Sequence, residues 1–208
     1  MEPVTLVTER LLLRTVGPGD AAAVYAACQD PDIQRWTTIP SPYLREHAEG
    51  FTSAIVPAGW REGTAFNFGV FERLPQDGLP DVLGPSDRGE GPLVAMLGIM
   101  PRPMGTGEIG FWAVREYRRR GYVAEATRAL THWAFTELGV GRAEWRAEVG
   151  NEASRAVAER VGFTIEGVLR AGIIHRGEHR DCVIGSLLPS DVGVPASVPY
   201  RSASPTAY

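Results

Sequence analysis

Arg118, Arg119, Arg120 and Gly121 stand between a short apolar run, EIGFWAV at residues 108–114, and an amphipathic stretch at residues 123–138. That pattern reads as a strand, a basic turn and a helix in direct succession. The first N–H groups of a helix have no partner inside it, and the helix dipole puts its positive end there. Such an end is a site for phosphate or pyrophosphate. Gly121 lets the main chain approach a ligand closely, and the guanidinium groups add charge-assisted donors for phosphate oxygens. The same residues also make an ordinary charged surface turn, solvated and without a ligand, so the turn alone decides nothing.

A second group of chemically able residues follows. Asn151 and Ser154 open NEASRAVAERVGF, residues 151–163. A serine hydroxyl there can donate a proton or cap the helix that follows, and Asn151 can bind a ligand or shape a turn. Glu108, Glu148 and His175 are candidate proton acceptors, the imidazole because it titrates near neutrality. Trp36, Thr37, Ile39 and Tyr43 lie in a segment with two prolines, where aromatic residues either bind ligands or pack the segment down. Arg180 and Asp181 form an adjacent pair, either part of a site or a structural ion pair.

The elements that position these residues are legible from periodicity. Residues 8–15 read as a strand that ends at Gly17, Pro18 and Gly19, and Asp20 opens an alanine-rich helix. Residues 30–43 read as a loop and 44–55 as a second helix. Two further strands, 65–71 and 93–100, flank residues 73–92, which are rich in Gly, Pro and Asp. These fit a long excursion on an antiparallel hairpin, functional or disordered, with disorder favoured. After the strand at 108–114 come the helix at 123–138, an alternating strand at 142–149, a short helix at 154–161, and strands at 163–169 and 181–188. Residues 175–179 fall in the turn between the last two. From residue 189 the chain is rich in Pro, Ser and Ala and reads as a disordered tail.

Composition narrows the possibilities. The chain has 208 residues and a formal net charge of -4, with a pI near 5.6. Its length suits one domain that needs no staple, and its charge argues against a nucleic-acid binder. Cys28 and Cys182 have no metal-type spacing and imply no disulfide framework. The start lacks a basic region before an apolar core, and no apolar run is long enough to span a membrane, so a soluble cytoplasmic protein is expected. Neither the G-x-G-x-x-G fingerprint nor a P-loop is present.

The turn resembles the R-x-x-G-x-A signature of the GNAT acyltransferases, whose main-chain amides hold the pyrophosphate of coenzyme A. NEASRAVAERVGF is similar to that family's N-x-x-S/A…G-F stretch. TERLLLR at residues 8–14, DIQRWTTIPSPY at 32–43, EGVLR at 166–170 and HRGEHRD at 175–181 are similar to the RimJ/RimL-type ribosomal protein N-acetyltransferases. The likeness runs over residues 8–188. It implies an α/β (α+β) fold, a mixed central sheet of about seven strands flanked by about four helices, as one domain over residues 1–188 with the tail at 189–208.

The resemblance further implies an N-acyltransferase that takes acetyl-CoA as co-substrate and needs no metal. The amine attacks the thioester directly in a ternary complex. The acceptor is a protein N-terminus or a small-molecule amine; an acyl-CoA-binding sensor with weak catalysis is the alternative. Coenzyme contacts fall on the main chain of Trp112 and Val114, on Arg118, Arg119, Arg120, Gly121, Val123 and Ala124, and on Asn151 and Arg155. Val123 stands where the family has a smaller residue. Ser154 would protonate the leaving thiolate, since the family's tyrosine position is Ala158 here. The glutamate position of the RimL type is Ile173, which leaves Glu108 as first candidate for the base, with Glu148 and His175 behind it. Trp36, Tyr43 and Glu148 would line the acceptor pocket. The protein would act as a monomer or homodimer.

Overall fold

The computed structural model describes residues 1–74 and 89–203. Among these, eight strands form one sheet: β1 (Leu6–Val7), β2 (Leu11–Arg14), β3 (Phe66–Arg73), β4 (Glu90–Arg102), β5 (Thr106–Ala113), β6 (Arg142–Glu148), β7 (Thr164–His175) and β8 (Glu178–Leu187). Their spatial order is 1-2-3-4-5-6-8-7. The helices are α1 (Ala21–Ala27), α2 (Pro31–Trp36), α3 (Arg45–Gly50), α4 (Val56–Glu62), α5 (Tyr122–Glu137) and α6 (Glu152–Val161). The expected mixed α/β sheet is present. Its neighbours are antiparallel except for β5 and β6, which run parallel.

Several local expectations are corrected. The single strand at residues 8–15 is the second arm of a small hairpin, since Leu6 and Val7 pair with Leu13 and Leu12. Residues 30–43 hold a helix, α2: the Asp30 carboxylate accepts from the Asp32 N–H at 2.8 Å, and Pro31 occupies the first turn, where its fixed φ suits a helix start. The helix expected to end at residue 55 continues through a π-helical turn, Phe51–Ile55, into α4. His175, Glu178 and His179 belong to strands, so only Arg176 and Gly177 turn the β7–β8 hairpin, both with positive φ (52° and 78°). That is the geometry of a two-residue primed turn. Most of the Gly/Pro/Asp-rich excursion, residues 75–88, lies outside the described residues. Its ends do form the expected hairpin, with Arg73 opposite Glu90.

The expected tail also begins too early. Pro189–Val192 form a short 3-10 turn, Pro189 is buried, and Val194 joins the core. The Val194 N–H donates to the Pro189 carbonyl at 2.9 Å. Packing therefore extends past the boundary at residue 188.

The sheet's alternation decides what faces the core. On β6, Ala143, Trp145 and Ala147 are buried, while Arg142, Glu144, Arg146 and Glu148 are partly exposed on the other face. Helix α5 buries Ala126, Leu130, Trp133 and Ala134, the stripe its periodicity predicts. Trp133 packs edge-on against Phe66 and Phe68 with centroids 5.5 Å away, and Trp60 of α4 joins them at 5.0–5.9 Å. This aromatic cluster locks α4 and α5 onto β3. Trp60→Ala should cost about 3–5 kcal/mol of stability in urea titration; a loss below about 1 kcal/mol would mean that the cluster is not a packed core.

Candidate active site

Strands β5 and β6 pair at Thr106–Arg142, Gly107–Ala143, Glu108–Glu144 and Ile109–Trp145, and no further. Beyond Ile109 and Trp145 the two strands part inside an otherwise continuous sheet. The register identifies which main-chain groups face the gap. The Val114 N–H donates to the Val94 carbonyl at 3.0 Å, so Val114 belongs to a hydrogen-bonded pair with β4. In an antiparallel ladder such pairs alternate. Trp112, opposite Met96, therefore also directs its N–H and C=O at β4. Phe111 and Ala113 are the residues whose main chain faces the gap. The expected contacts at Trp112 and Val114 are thus corrected by one residue, and a slip of one exchanges the two edges of a strand. On β6 the Val149 N–H donates to the Asp181 carbonyl, so by the same alternation Arg146 and Glu148 face the gap.

The gap leads to the basic turn. Arg119 and Gly121 have φ of 64° and 80°, left-handed geometry at the entrance to α5. The first bond of the helix runs from the Glu125 N–H to the Gly121 carbonyl at 3.0 Å. The N–H groups of Arg119, Arg120, Gly121, Tyr122, Val123 and Ala124 have no acceptor among the described residues. Six adjacent amides without acceptors, at the positive end of a helix, form an anion cradle. Gly121, Val123 and Ala124 offer main-chain N–H groups only, so a branched side chain at Val123 is compatible with the geometry.

The arginines behave differently from expectation. Arg118 turns its guanidinium to Asp30 (2.7 Å) and Asp32 (3.0 Å) of the α2 start and to the Ala113 carbonyl (3.3 Å). It braces the turn and is not free for a phosphate. Arg155 pairs with Glu159 one helical turn on, at 2.8 Å. Arg120 lies over the Tyr117 ring, 5.0 Å from its centroid, and lines a groove of about 410 Å³ with Arg10, Gly121, Glu125, Arg128 and Arg160. Sequence reading missed Arg10, Glu125, Arg128 and Arg160. Arg10 donates to Glu125 (2.7 Å) and to the Arg120 carbonyl (3.1 Å); no spacing rule connects residue 10 with residue 121.

Asn151 and Ser154 stand at the start of α6. Asn151 is the cap of α6, its side-chain oxygen accepting from the Ser154 N–H at 3.2 Å. The Ser154 hydroxyl oxygen accepts from the Trp145 indole N–H at 3.0 Å. Ser154 is therefore no cap. Its own O–H proton is uncommitted among the described residues, and it is tethered to Trp145 on the last rung before the strands part.

The opposite sheet face carries the charged groups. Gly110, the first β5 residue past that rung, is exposed, and a side chain there would meet nothing within 4 Å. Glu108 pairs with Arg102 at 3.1 Å. Glu148 accepts two bonds from Arg35 of α2 (2.7 and 3.1 Å) and one contact from His175 Nδ1 (3.0 Å). The Arg35 hydrogen bonds, opposed by burial and aided by His175, hold the Glu148 carboxyl down at about 2. A carboxylate so stabilised is a poor proton acceptor, which removes Glu148 from the candidate bases. Trp36 is half-buried, stacked under Arg35 at 4.1 Å, with its ring edge 3.9 Å from where a side chain on Gly150 would begin. It borders this face. Tyr43 does not: it is buried in the core at 5% exposure, beside Cys28, whose thiol burial pushes up to about 12. Arg180 pairs with Glu178 and not with Asp181, which instead accepts from the Ala171 N–H at 2.8 Å.

Among the described residues no cluster of His, Cys, Asp and Glu is able to hold a metal ion, and no helix is long and apolar enough to cross a membrane. A parted parallel strand pair that ends at a comb of free amides is the architecture of an acyl-coenzyme A N-acyltransferase. The family model described as "Acetyltransferase (GNAT) domain" matches residues 10–164, and the chain belongs to that family. It is an N-acetyltransferase with acetyl-CoA as co-substrate, and among its relatives and fold neighbours are proteins named as ribosomal-protein N-acetyltransferases. YdaF of Bacillus subtilis, provisionally named a ribosomal N-acetyltransferase, is 47% identical over 81 residues, 39% of this chain and 44% of that protein. A Vibrio cholerae structure, provisionally titled a ribosomal-protein-serine acetyltransferase, superposes with a TM-score of 0.75 at 26% identity, covering 91% of this chain and all of that one. Mycobacterium smegmatis RimJ, solved with a CoA-disulfide, has the same fold, with a TM-score of 0.72 at 20% identity over 92% of each chain.

Two outcomes follow from this geometry. Gly121→Glu should reduce coenzyme A affinity at least tenfold in calorimetry, because it strains a positive φ and sets a carboxylate against phosphate; unchanged affinity would contradict the cradle. Glu148, whose folded pKa is depressed, stabilises the fold fully above the ordinary glutamate range, near 4.5, and loses that contribution as pH falls toward about 2. Glu148→Gln should therefore flatten the acid limb of a stability–pH curve between those values, and an identical limb in the variant would show that the pairing contributes nothing.

Proposed function

We propose that this protein moves the acetyl group of acetyl-CoA to the N-terminal α-amine of a protein, of the kind its ribosomal relatives are named for. The observation that carries the reading is a line of main-chain N–H groups without acceptors: those of Phe111 and Ala113 at the gap edge, then those of Arg119 to Ala124. A pantetheine arm placed in the gap takes the position of a missing strand, and a diphosphate at the turn takes the acceptor role that the amides lack. The gap-facing N–H groups of β5 are also suited to polarise a thioester oxygen.

In this reading Ser154 supplies the proton for the leaving sulfur. Its oxygen is already engaged by Trp145, so its O–H is free to point toward the gap, and Asn151 shapes the turn that presents it. The acceptor amine arrives on the opposite face, over exposed Gly110, with Trp36 and the α2 region as its wall. The names of the relatives support a protein acceptor over a small amine. The described residues, with packing past residue 188, are proposed to form one catalytic domain.

The test is thiol release from acetyl-CoA with panels of N-terminal peptides and small amines. Peptide turnover is expected. Turnover with small amines alone would replace the proposed acceptor, and tight coenzyme binding without any turnover would mark a binding module. Ser154→Ala should lower kcat at least tenfold while changing coenzyme A affinity less than twofold; full activity would remove the hydroxyl from the chemistry.

A further inference from the structure

We propose that His175 is the base that takes the proton from the acceptor amine, with Glu148 as the positioning residue that fixes its tautomer. The inference rests on the transferase reading above and assigns the base that reading leaves open. His175 is 10% exposed at its side chain and sets Nδ1 3.0 Å from Glu148 Oε2. An ionised carboxylate only accepts, so in the neutral ring Nδ1 carries the hydrogen and Nε2 carries the lone pair. Nε2 is buried and has no partner among the described residues. A buried acceptor without a donor is costly, and the missing partner is an N–H donor: an ammonium or amine satisfies it.

The surroundings hold this geometry from three sides. Arg35 of α2 clamps the far side of Glu148, as described. Glu178 of β8 lies opposite His175 across the hairpin. Arg176, next in the chain, donates to the Gln34 carbonyl at the end of α2. The hairpin tip and α2 thus close over the dyad together, and the proposal requires them to part for an amine to reach Nε2. Glu108, the other candidate, is less suited: its carboxylate is tied to Arg102, and it is 28% exposed against 10% for His175.

The ammonium gives one proton to Nε2, making an imidazolium stabilised by Glu148. The freed amine pair forms the N–C bond at the thioester carbonyl, and the C–S bond breaks with its electron pair on sulfur. The second amine proton neutralises the thiolate through Ser154, and the imidazolium returns its proton to water.

The experiment measures kcat/KM against pH with acetyl-CoA and a short serine-initiated peptide, or with the small amine that turns over if peptides are inert. The wild-type profile should bend on its acid side, because the base works only when deprotonated. His175→Gln should lose about 10²–10⁴-fold in kcat and abolish that bend, with coenzyme A affinity and circular dichroism unchanged. Glu148→Gln should lower kcat while leaving coenzyme A affinity unchanged, since the carboxylate fixes the tautomer that presents Nε2. Glu108→Gln should keep the bend in place. A bend that survives in His175→Gln, or one that disappears in Glu108→Gln, overturns the assignment. Should the wild type turn over no amine while binding coenzyme A, the transferase reading itself fails, and that result is separate from any change among the variants.

Discussion

Everything at the site depends on the abrupt end of one parallel strand pairing. Four rungs join β5 to β6, after which the strands diverge while their outer neighbours stay paired. Main-chain groups at the centre of a sheet are rarely left without partners, because a buried N–H or C=O without one costs on the order of 1–3 kcal/mol. Here the Phe111 main chain and the Ala113 N–H of one strand, and the Glu148 N–H of the other, have no strand partner, with the unsatisfied start of α5 beyond them. A ligand with an extended polar arm and a diphosphate end satisfies both sets at once. In the proposed reading, recognition of that ligand rests on backbone geometry and tolerates Val123 where a smaller residue is usual.

The charged side chains act mainly on the protein itself. Arg118 binds the two aspartates at the head of α2, and Arg10 binds Glu125 and the Arg120 carbonyl, so these guanidinium groups hold the turn in its left-handed conformation. Helix α2 is tied at its head to the coenzyme turn and at its end to β6 and the β7–β8 hairpin, through Arg35 and Gln34. One short helix thus joins the donor side of the site to the acceptor side.

Much of this was legible in the sequence because the signals are local. The strand–turn–helix at residues 108–138, the alternation of β6 and the stripe of α5 follow from periodicities of 2 and 3.6 residues. Gly121 stands where a positive φ is required. What was not legible depends on partners distant in the chain. Which edge of β5 faces the gap is set by the register against β4, so Phe111 and Ala113 could not be told from Trp112 and Val114. Arg118 was read as a phosphate donor because Asp30 and Asp32 lie 88 and 86 residues away. Tyr43 was read as a pocket wall from its loop setting, yet it packs beside Cys28. The α2 start was missed although its signal, an aspartate before a proline, was local.

The central claim concerns specific amides, and residue-resolved hydrogen exchange tests it. Adding coenzyme A should protect the N–H groups of Phe111, Ala113 and Arg119 to Ala124, and leave Trp112 and Val114, already bonded to β4, unchanged. Protection confined to other residues, with these amides exchanging at their original rates, would contradict the account.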